Sequence, residues 1–489
     1  MKTSNTRDLT KISKWIWHAL PVIGLVIWGA LAVTNYMWYD EAYSAALVSK
    51  SIKDLVAITS KDVHSPFYYI LAKGFYHLCG GGTNYWSVKV FSLLFSFGYL
   101  LLGKYWIKRL YDEKTSIYFM AFSILMPMMT VQTTNIRMYS CGLFFFTAMA
   151  LCMIEICRGE ESLIKWILFA FCSACSVYCH TFQMIETLIL YGFFFAALLY
   201  QKQYKKLRGF FASGIFVALV YIPWLKTLYH QMQVRMVQTA GDVAAAAESE
   251  EKFNALITYC KEWFSAGETP FALVMYLGMA LTVVLGYFAV DYMRSQKDYA
   301  AGIGIAVIAV TALLGTYLNN YVASSFMGRY VFPVFGSLAL LYALGMRQIK
   351  SSWFKVVVWM VALYCFAVQY RSELQLEYNT EIENYFEFVE ENMDEDDIVM
   401  VDSYYLLMLS VYYPNLRYMA YGHLDEWMPF ETIGAFQSWE QLDNLSGNLW
   451  YIGSNPHYLS AEYSYEEALQ FHHMYYNIDV FKMVKNGQE

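Results

Sequence analysis

The chain predicts a polytopic α-helical membrane protein that ends in a small α/β domain. Three observations carry this expectation. Of 489 residues, 58% are hydrophobic and 15% charged, whereas a soluble domain of this size carries about 25% charged residues. Apolar runs recur through residues 15–371, each long enough to cross ~30 Å of hydrocarbon as a helix. Beyond 371 the apolar runs shorten to strand length and the charge turns acidic. Residues 372–489 hold 22 of the 41 acids against three bases, Arg417, Lys482 and Lys485. The expected division is therefore a transmembrane domain over 1–371 and an acidic α/β domain over 372–489. The net charge of −7 thus hides a basic membrane part, which favours anionic lipid or phosphate partners. Nothing points to nucleic acid.

About 11 spans are expected, near 15–37, 84–106, 115–133, 138–157, 163–180, 182–200, 208–228, 269–293, 300–319, 327–346 and 353–371. The first is preceded by Lys2, Arg7, Lys11 and Lys14. It is too long for a signal-peptide core and lacks a small-x-small cleavage site, so it reads as an anchor. The shorter run 65–79 reads as lying in the interface or re-entering. With the N-terminus in the cytoplasm, 19 of the 34 bases fall on the cytoplasmic side, most of them in short connections, as the positive-inside rule requires of a cell-membrane protein. That orientation places Asp40, Glu41, Asp62, His64, Arg137, His180, the loop 229–268, Arg329 and the acidic domain on one external side. Such one-sided clustering is the signature of a single site.

Within the loop, Ala244–Ala247 followed by Glu248, Glu250 and Glu251 reads as a surface helix. In the acidic domain, Ile398–Val401, Leu449–Ile452 and Val480–Val484 read as strands. Cys172, Cys175 and Cys179 share a helical face. Without a matching second pair, the CxxC among them reads as small residues at a helix interface. No cysteine lies beyond 371 to cross-link the acidic domain.

The chemistry-bearing residues begin with Asp40-Glu41, directly after the first span. Carboxylates at a membrane boundary cost several kcal/mol unless something uses them. Asp40 could instead be the N-cap of an interfacial helix from Glu41 to about Ile52. Adjacent side chains diverge, so one of the pair can be chemical while the other orients or caps. Asp62-Val63-His64-Ser65-Pro66 opens the interfacial run, with Pro66 starting a helix. His64 could cap, bind a phosphate when protonated, ligate a metal, or be a satisfied interfacial histidine. Arg137, in Asn135-Ile136-Arg137-Met138-Tyr139, sits where arginine is costly and normally paired. Its fork fits a phosphate, or a carboxylate such as Asp40 or Glu41. Lys89 lies in the outer third of the second span. His180 ends the fifth span, Glu186 is a buried carboxylate just inside the sixth, and Arg329-Tyr330 opens the tenth. Together these suit transfer of a group from a lipid-linked phosphate: cations hold the phosphate and a carboxylate takes a proton from an attacking hydroxyl.

At these residues the chain resembles the GT-C membrane glycosyltransferases of the family 39 type, which include protein O-mannosyltransferases and the lipid A aminoarabinose transferase. The resemblance is carried by Asp40-Glu41-Ala42-Tyr43, by Asp62-x-His64-Ser65-Pro66-Phe67-Tyr68-Tyr69 and by Arg137-Met138-Tyr139. Weaker matches are Tyr178-Cys179-His180 and Arg329-Tyr330-x-x-Pro333. It covers about residues 15–346 and departs at His64-Ser65-Pro66-Phe67, where His-Pro-Pro-Leu is usual, and at Lys89, where arginine is usual. It implies a GT-C fold with interfacial helices in the first external loop, a polyprenyl-phosphate sugar donor, and inverting transfer to a hydroxyl acceptor. Asp40 would be the base and Glu41 its orienting neighbour. Arg137, Arg329, Lys89 and His64 would face the donor phosphate. Asp62, Tyr139, His180, Glu186 and Tyr330 would bind substrate or support the site. No cofactor is expected, although Asp40, Glu41, Asp62 and His64 could supply hard ligands to Mg²⁺ or Mn²⁺. Competing readings are a lipid-linked glycan transporter or flippase, a membrane scaffold without catalysis, and a polymerase or ligase moving whole glycans.

Overall fold

A helix occupies each of the eleven expected apolar runs in the computed structural model. The structure describes residues 2–34, 36–82, 85–241, 243–244, 254–264, 272–421, 429, 434–438, 441–442, 447–453, 463–473 and 476–485. In order, the helices up to 200 are α1 (Lys2–Ala32), α2 (Tyr39–Ser49), α3 (Ile52–Lys61), α4 (Phe67–Leu78), α5 (Trp86–Leu101), α6 (Glu113–Leu125), α7 (Pro127–Gln132), α8 (Tyr139–Cys157), α9 (Leu163–Cys179) and α10 (Thr181–Tyr200). There follow α11 (Leu207–Gln238), α12 (Asn254–Phe264), α13 (Ala272–Gln296), α14 (Ile303–Tyr321), α15 (Phe335–Gln348), α16 (Ser352–Glu377), α17 (Glu381–Asn392) and α18 (Ser403–Tyr412). Nine helices among the described residues are long and apolar enough to cross a membrane, and α9 is a shorter apolar helix. The expected run 115–133 is divided, because Met126 is extended before Pro127, which opens α7 as a residue preceding proline is driven to be.

The chain divides into two compact units. One comprises Met1–Val33, Val63–Tyr68 and Lys89–Glu373; the other comprises Thr34–Asp62, Tyr69–Val88 and Leu374–Glu489.

In the first unit, α11 runs ten residues past the expected end of its span, so the loop expected from 229 begins only after Gln238. No glycine or proline interrupts between Pro223 and Gly241, and Leu228 and Gln231 continue the buried face. The surface helix expected at 244–251 lies, but for Ala244, outside the described residues.

The second unit is built on a five-stranded sheet of β1 (Ile398–Asp402), β2 (Arg417–Tyr421), β3 (Leu449–Gly453), β4 (Tyr463–His473) and β5 (Tyr476–Lys485), in the order β2-β1-β3-β5-β4. The β1–β2 and β1–β3 pairs are parallel, and β3–β5 and β4–β5 antiparallel. Val399, Val401, Trp450, Ile452 and Val480 face a core shared with Tyr385 and Val389 of α17. Tyr36 belongs to that core, and Tyr39 packs against it. The backbone N–H of Met37 donates to the Tyr412 hydroxyl at 3.0 Å. The segment leading into Asp40-Glu41 is thereby fastened to the sheet domain.

Asp40 is not an N-cap. Trp38 holds that position and α2 begins at Tyr39. The helix expected to run to Ile52 stops at Ser49, because Ser51 caps a new helix, accepting the Asp54 N–H at 3.2 Å.

Candidate active site

Arg137 sits on an irregular stretch between α7 and α8, where backbone groups must find partners away from water. Serines of α5 supply them: Ser92 donates to the Asn135 carbonyl at 2.7 Å and Ser96 to the Thr133 carbonyl at 3.0 Å. Tyr68 bonds Ser92 in turn at 2.7 Å. The Arg137 N–H closes a tight turn onto the Asn135 carbonyl at 2.7 Å. The guanidinium donates to His64 Nε2 at 2.6 Å, which leaves the proton of a neutral imidazole on Nδ1.

His64 and His180 lie in one buried layer, with ring centroids 5.8 Å apart. His180 caps α10, its Nδ1 accepting the Phe182 N–H at 3.2 Å. Its ring stands 4.4 Å from that of Tyr330 and 6.3 Å from that of Tyr139. Phe182 stacks on Tyr330 at 5.3 Å. Burial, and then the charge of Arg137, push the His64 pKa well below the usual histidine value. Burial, Arg137 and Arg329 push His180 down to about 3. Both shifts favour the neutral imidazole over the protonated cation.

The expected residues His64, Arg137, Tyr139, His180, Arg329 and Tyr330 therefore gather in the first unit. Two further residues join them that sequence reasoning missed. Arg235 of α11 acts electrostatically on His64 and donates to the Ser324 carbonyl at 3.5 Å. Glu262 of α12 accepts the Arg329 backbone N–H at 2.8 Å. The signal for Arg235 was its helical spacing from Leu228 and Gln231, hidden because the segment read as loop.

Glu186 lies one turn below Phe182 on α10, fully buried, and neither carboxylate oxygen has a hydrogen-bond partner among the described residues. The Tyr139 hydroxyl is buried in the same condition. Lys89 is buried in the first turn of α5, a position where the helix dipole disfavours a cation.

Asp40, Glu41 and Asp62 belong to the second unit. Glu41 is buried, and its carboxylate accepts the Trp38 N–H at 3.3 Å, closing the open start of α2. Asp40, half-buried, occupies the same first turn. Asp62 ends α3 as its C-cap. Among the described residues, no group of three or more His, Cys, Asp or Glu side chains is placed to hold a metal ion.

No protein-family model matches the sequence, and no curated protein matches it. Solved structures do. ArnT from Cupriavidus metallidurans in the apo state superposes with a TM-score of 0.64 at 11% identity, over 96% of this chain and 98% of that one. ArnT from the same organism bound to undecaprenyl phosphate gives a TM-score of 0.65 at 12% identity, over 95% and 98%. The chain has the GT-C fold. The likeness extends through both units, so the sheet domain of this GT-C chain is matched along with its helices.

Proposed function

We propose that the chain is an inverting glycosyltransferase that takes a sugar from a polyprenyl-phosphate donor and places it on a hydroxyl acceptor at the external face of the cell membrane. The observation that carries this reading is the group formed by buried Arg137, His64 and His180 with half-buried Arg329 and Arg235 acting on His64, set in a fold shared with a protein solved on undecaprenyl phosphate. Three guanidiniums around neutral imidazoles suit an anion that gains charge as it leaves.

In the proposed reaction, the Asp40 carboxylate takes the acceptor hydroxyl proton as the oxygen attacks the anomeric carbon. The bond from that carbon to the phosphate oxygen breaks on the opposite face, so the configuration inverts. The electron pair leaves with the lipid phosphate, whose negative charge Arg137 and Arg329 stabilise, with Lys89 and His64 as further contacts. A phosphate anion is a good leaving group and needs no general acid. Glu41, closing α2, orients its neighbour Asp40.

The test is transfer from radiolabelled polyprenyl-phosphate sugars to membranes, comparing wild type with Asp40→Asn at equal expression. Loss of turnover by about 10²–10⁴-fold, with donor binding retained, is the expected result. Unchanged transfer would remove Asp40 from the reaction.

A further inference from the structure

The segment that presents Arg329 is held by side chains from two helices and from the residue that ends a third. Asn319 of α14 accepts the N–H groups of Ser325 and Phe326 at 2.9 and 2.7 Å and donates to the Phe326 carbonyl at 2.8 Å. Thr239, following α11, accepts the Ser324 N–H at 3.1 Å. From α12, Trp263 donates to the Gly328 carbonyl at 2.7 Å. Glu262 accepts the Arg329 N–H at 2.8 Å and also bonds the Gly328 N–H. A Cβ at Gly328 would come within 3.0 Å of the Tyr259 backbone and 2.9 Å of the Glu262 carboxylate, so only glycine lets α12 approach this closely.

Glu262 thus caps, from another helix, the 3₁₀ turn Gly328–Val334, whose first N–H groups lack partners within the turn. An uncharged amide oxygen could accept the same bonds. The carboxylate is partly desolvated there, and burial raises its pKa against the opposing N–H donors and the charge of Arg329. What a neutral amide could not supply is the attraction between the carboxylate and the Arg329 charge that acts on it. Arg329 in turn acts electrostatically on both His64 and His180.

We propose that Glu262 is the positioning residue for Arg329: it fixes the backbone at 328–329 and draws the guanidinium, so that Arg329 is presented to the donor phosphate. This rests on the proposed function. In it, Glu262 touches neither sugar nor acceptor and acts only through Arg329.

The experiment measures undecaprenyl phosphate binding to the full-length protein in nanodiscs, with melting curves on each sample. Wild type, Glu262→Ala, Glu262→Gln, Arg329→Ala and the Glu262→Ala/Arg329→Ala double variant are compared. Glu262→Ala is expected to raise Kd about tenfold. Glu262→Gln, which keeps an oxygen for the N–H groups, should lie between it and wild type. The double variant should bind no more weakly than Arg329→Ala alone, because one residue works through the other. Effects that multiply in the double variant, or unchanged binding in folded Glu262→Ala, overturn the proposal. Folded wild type that fails to bind overturns the proposed function itself, a result set apart because it appears before any substitution.

Discussion

The two ends of α8 set their arginines among different neighbours. At its far end, cations meet carboxylates. Glu155 pairs with Arg109, and with Lys165 at 3.3 Å. Arg158 holds Asp298 at 2.5 Å, and Tyr111 donates to the same carboxylate at 3.0 Å. Nearby, Arg347 meets Asp112 at 2.9 Å and Lys108 meets Glu113 at 3.0 Å. At the near end, Arg137 donates to a neutral imidazole and Arg235 to a backbone carbonyl. Glu262, a carboxylate on that side, is engaged with backbone amides of the segment carrying Arg329. Charge closed into pairs holds helices together, whereas three arginines that act on one buried imidazole are suited to a ligand that brings the opposite sign.

Substitutions can break this contrast. The largest expected effect is at the near end. Arg137→Ala should lower sugar transfer by about 10²–10³-fold, as removal of a donor to developing charge does elsewhere, while the protein stays folded. Transfer per folded molecule checks it, and near-normal turnover would put Arg137 among the structural arginines. Arg158→Ala should do the reverse. It strands the buried Asp298 and is expected to destabilise by about 2 kcal/mol, discounted for the partial exposure of Arg158. Transfer per folded molecule should be unchanged, and a melting series with activity on the surviving fraction separates the two outcomes. The smallest effect sharpens the site's own electrostatics. Below about pH 6.5 an unfolded histidine takes up a proton, whereas folded His180 resists protonation down to about pH 3. The unfolded state then binds more protons, so stability falls as pH drops through 6.5. His180→Asn should flatten that fall between pH 7.5 and 5, and an unchanged slope would place the titration elsewhere.

What could be read ahead of the structure follows a physical line. Membrane helices carry their own signal, because length and apolarity are demanded by the bilayer whatever the neighbours are. Strands β1, β3 and β5 were legible because their faces are buried. Strands β2 and β4 were not. They are the two edges of the sheet; β2 is buried over Tyr418–Ala420 but only five residues long, whereas most of β4 between Ser464 and Gln470 is exposed, and an edge strand written in Tyr, Ser, Glu and Gln lacks an apolar pattern. Candidate residues on short turns beside spans, such as His64, Arg137, His180 and Arg329, stood out because polar groups are scarce there. Arg235 and Glu262 did not, because they lie in a segment where polar residues are ordinary.

The sequence by itself determined the membrane class, the places where helices run, the acidic sheet domain and the motifs that resemble GT-C enzymes. These follow from local terms, namely hydrophobic length, alternation and capping. Only the tertiary structure decided which of the charged residues share a layer, that His64 accepts from Arg137 as a neutral ring, that Glu41 closes its own helix, and that a glutamate from a distant helix holds the Arg329 turn. Those outcomes depend on burial and on partners far apart in the chain. Whether a buried charge is paired, neutral or kept for a ligand is set by what surrounds it in space, and local sequence does not contain that neighbourhood.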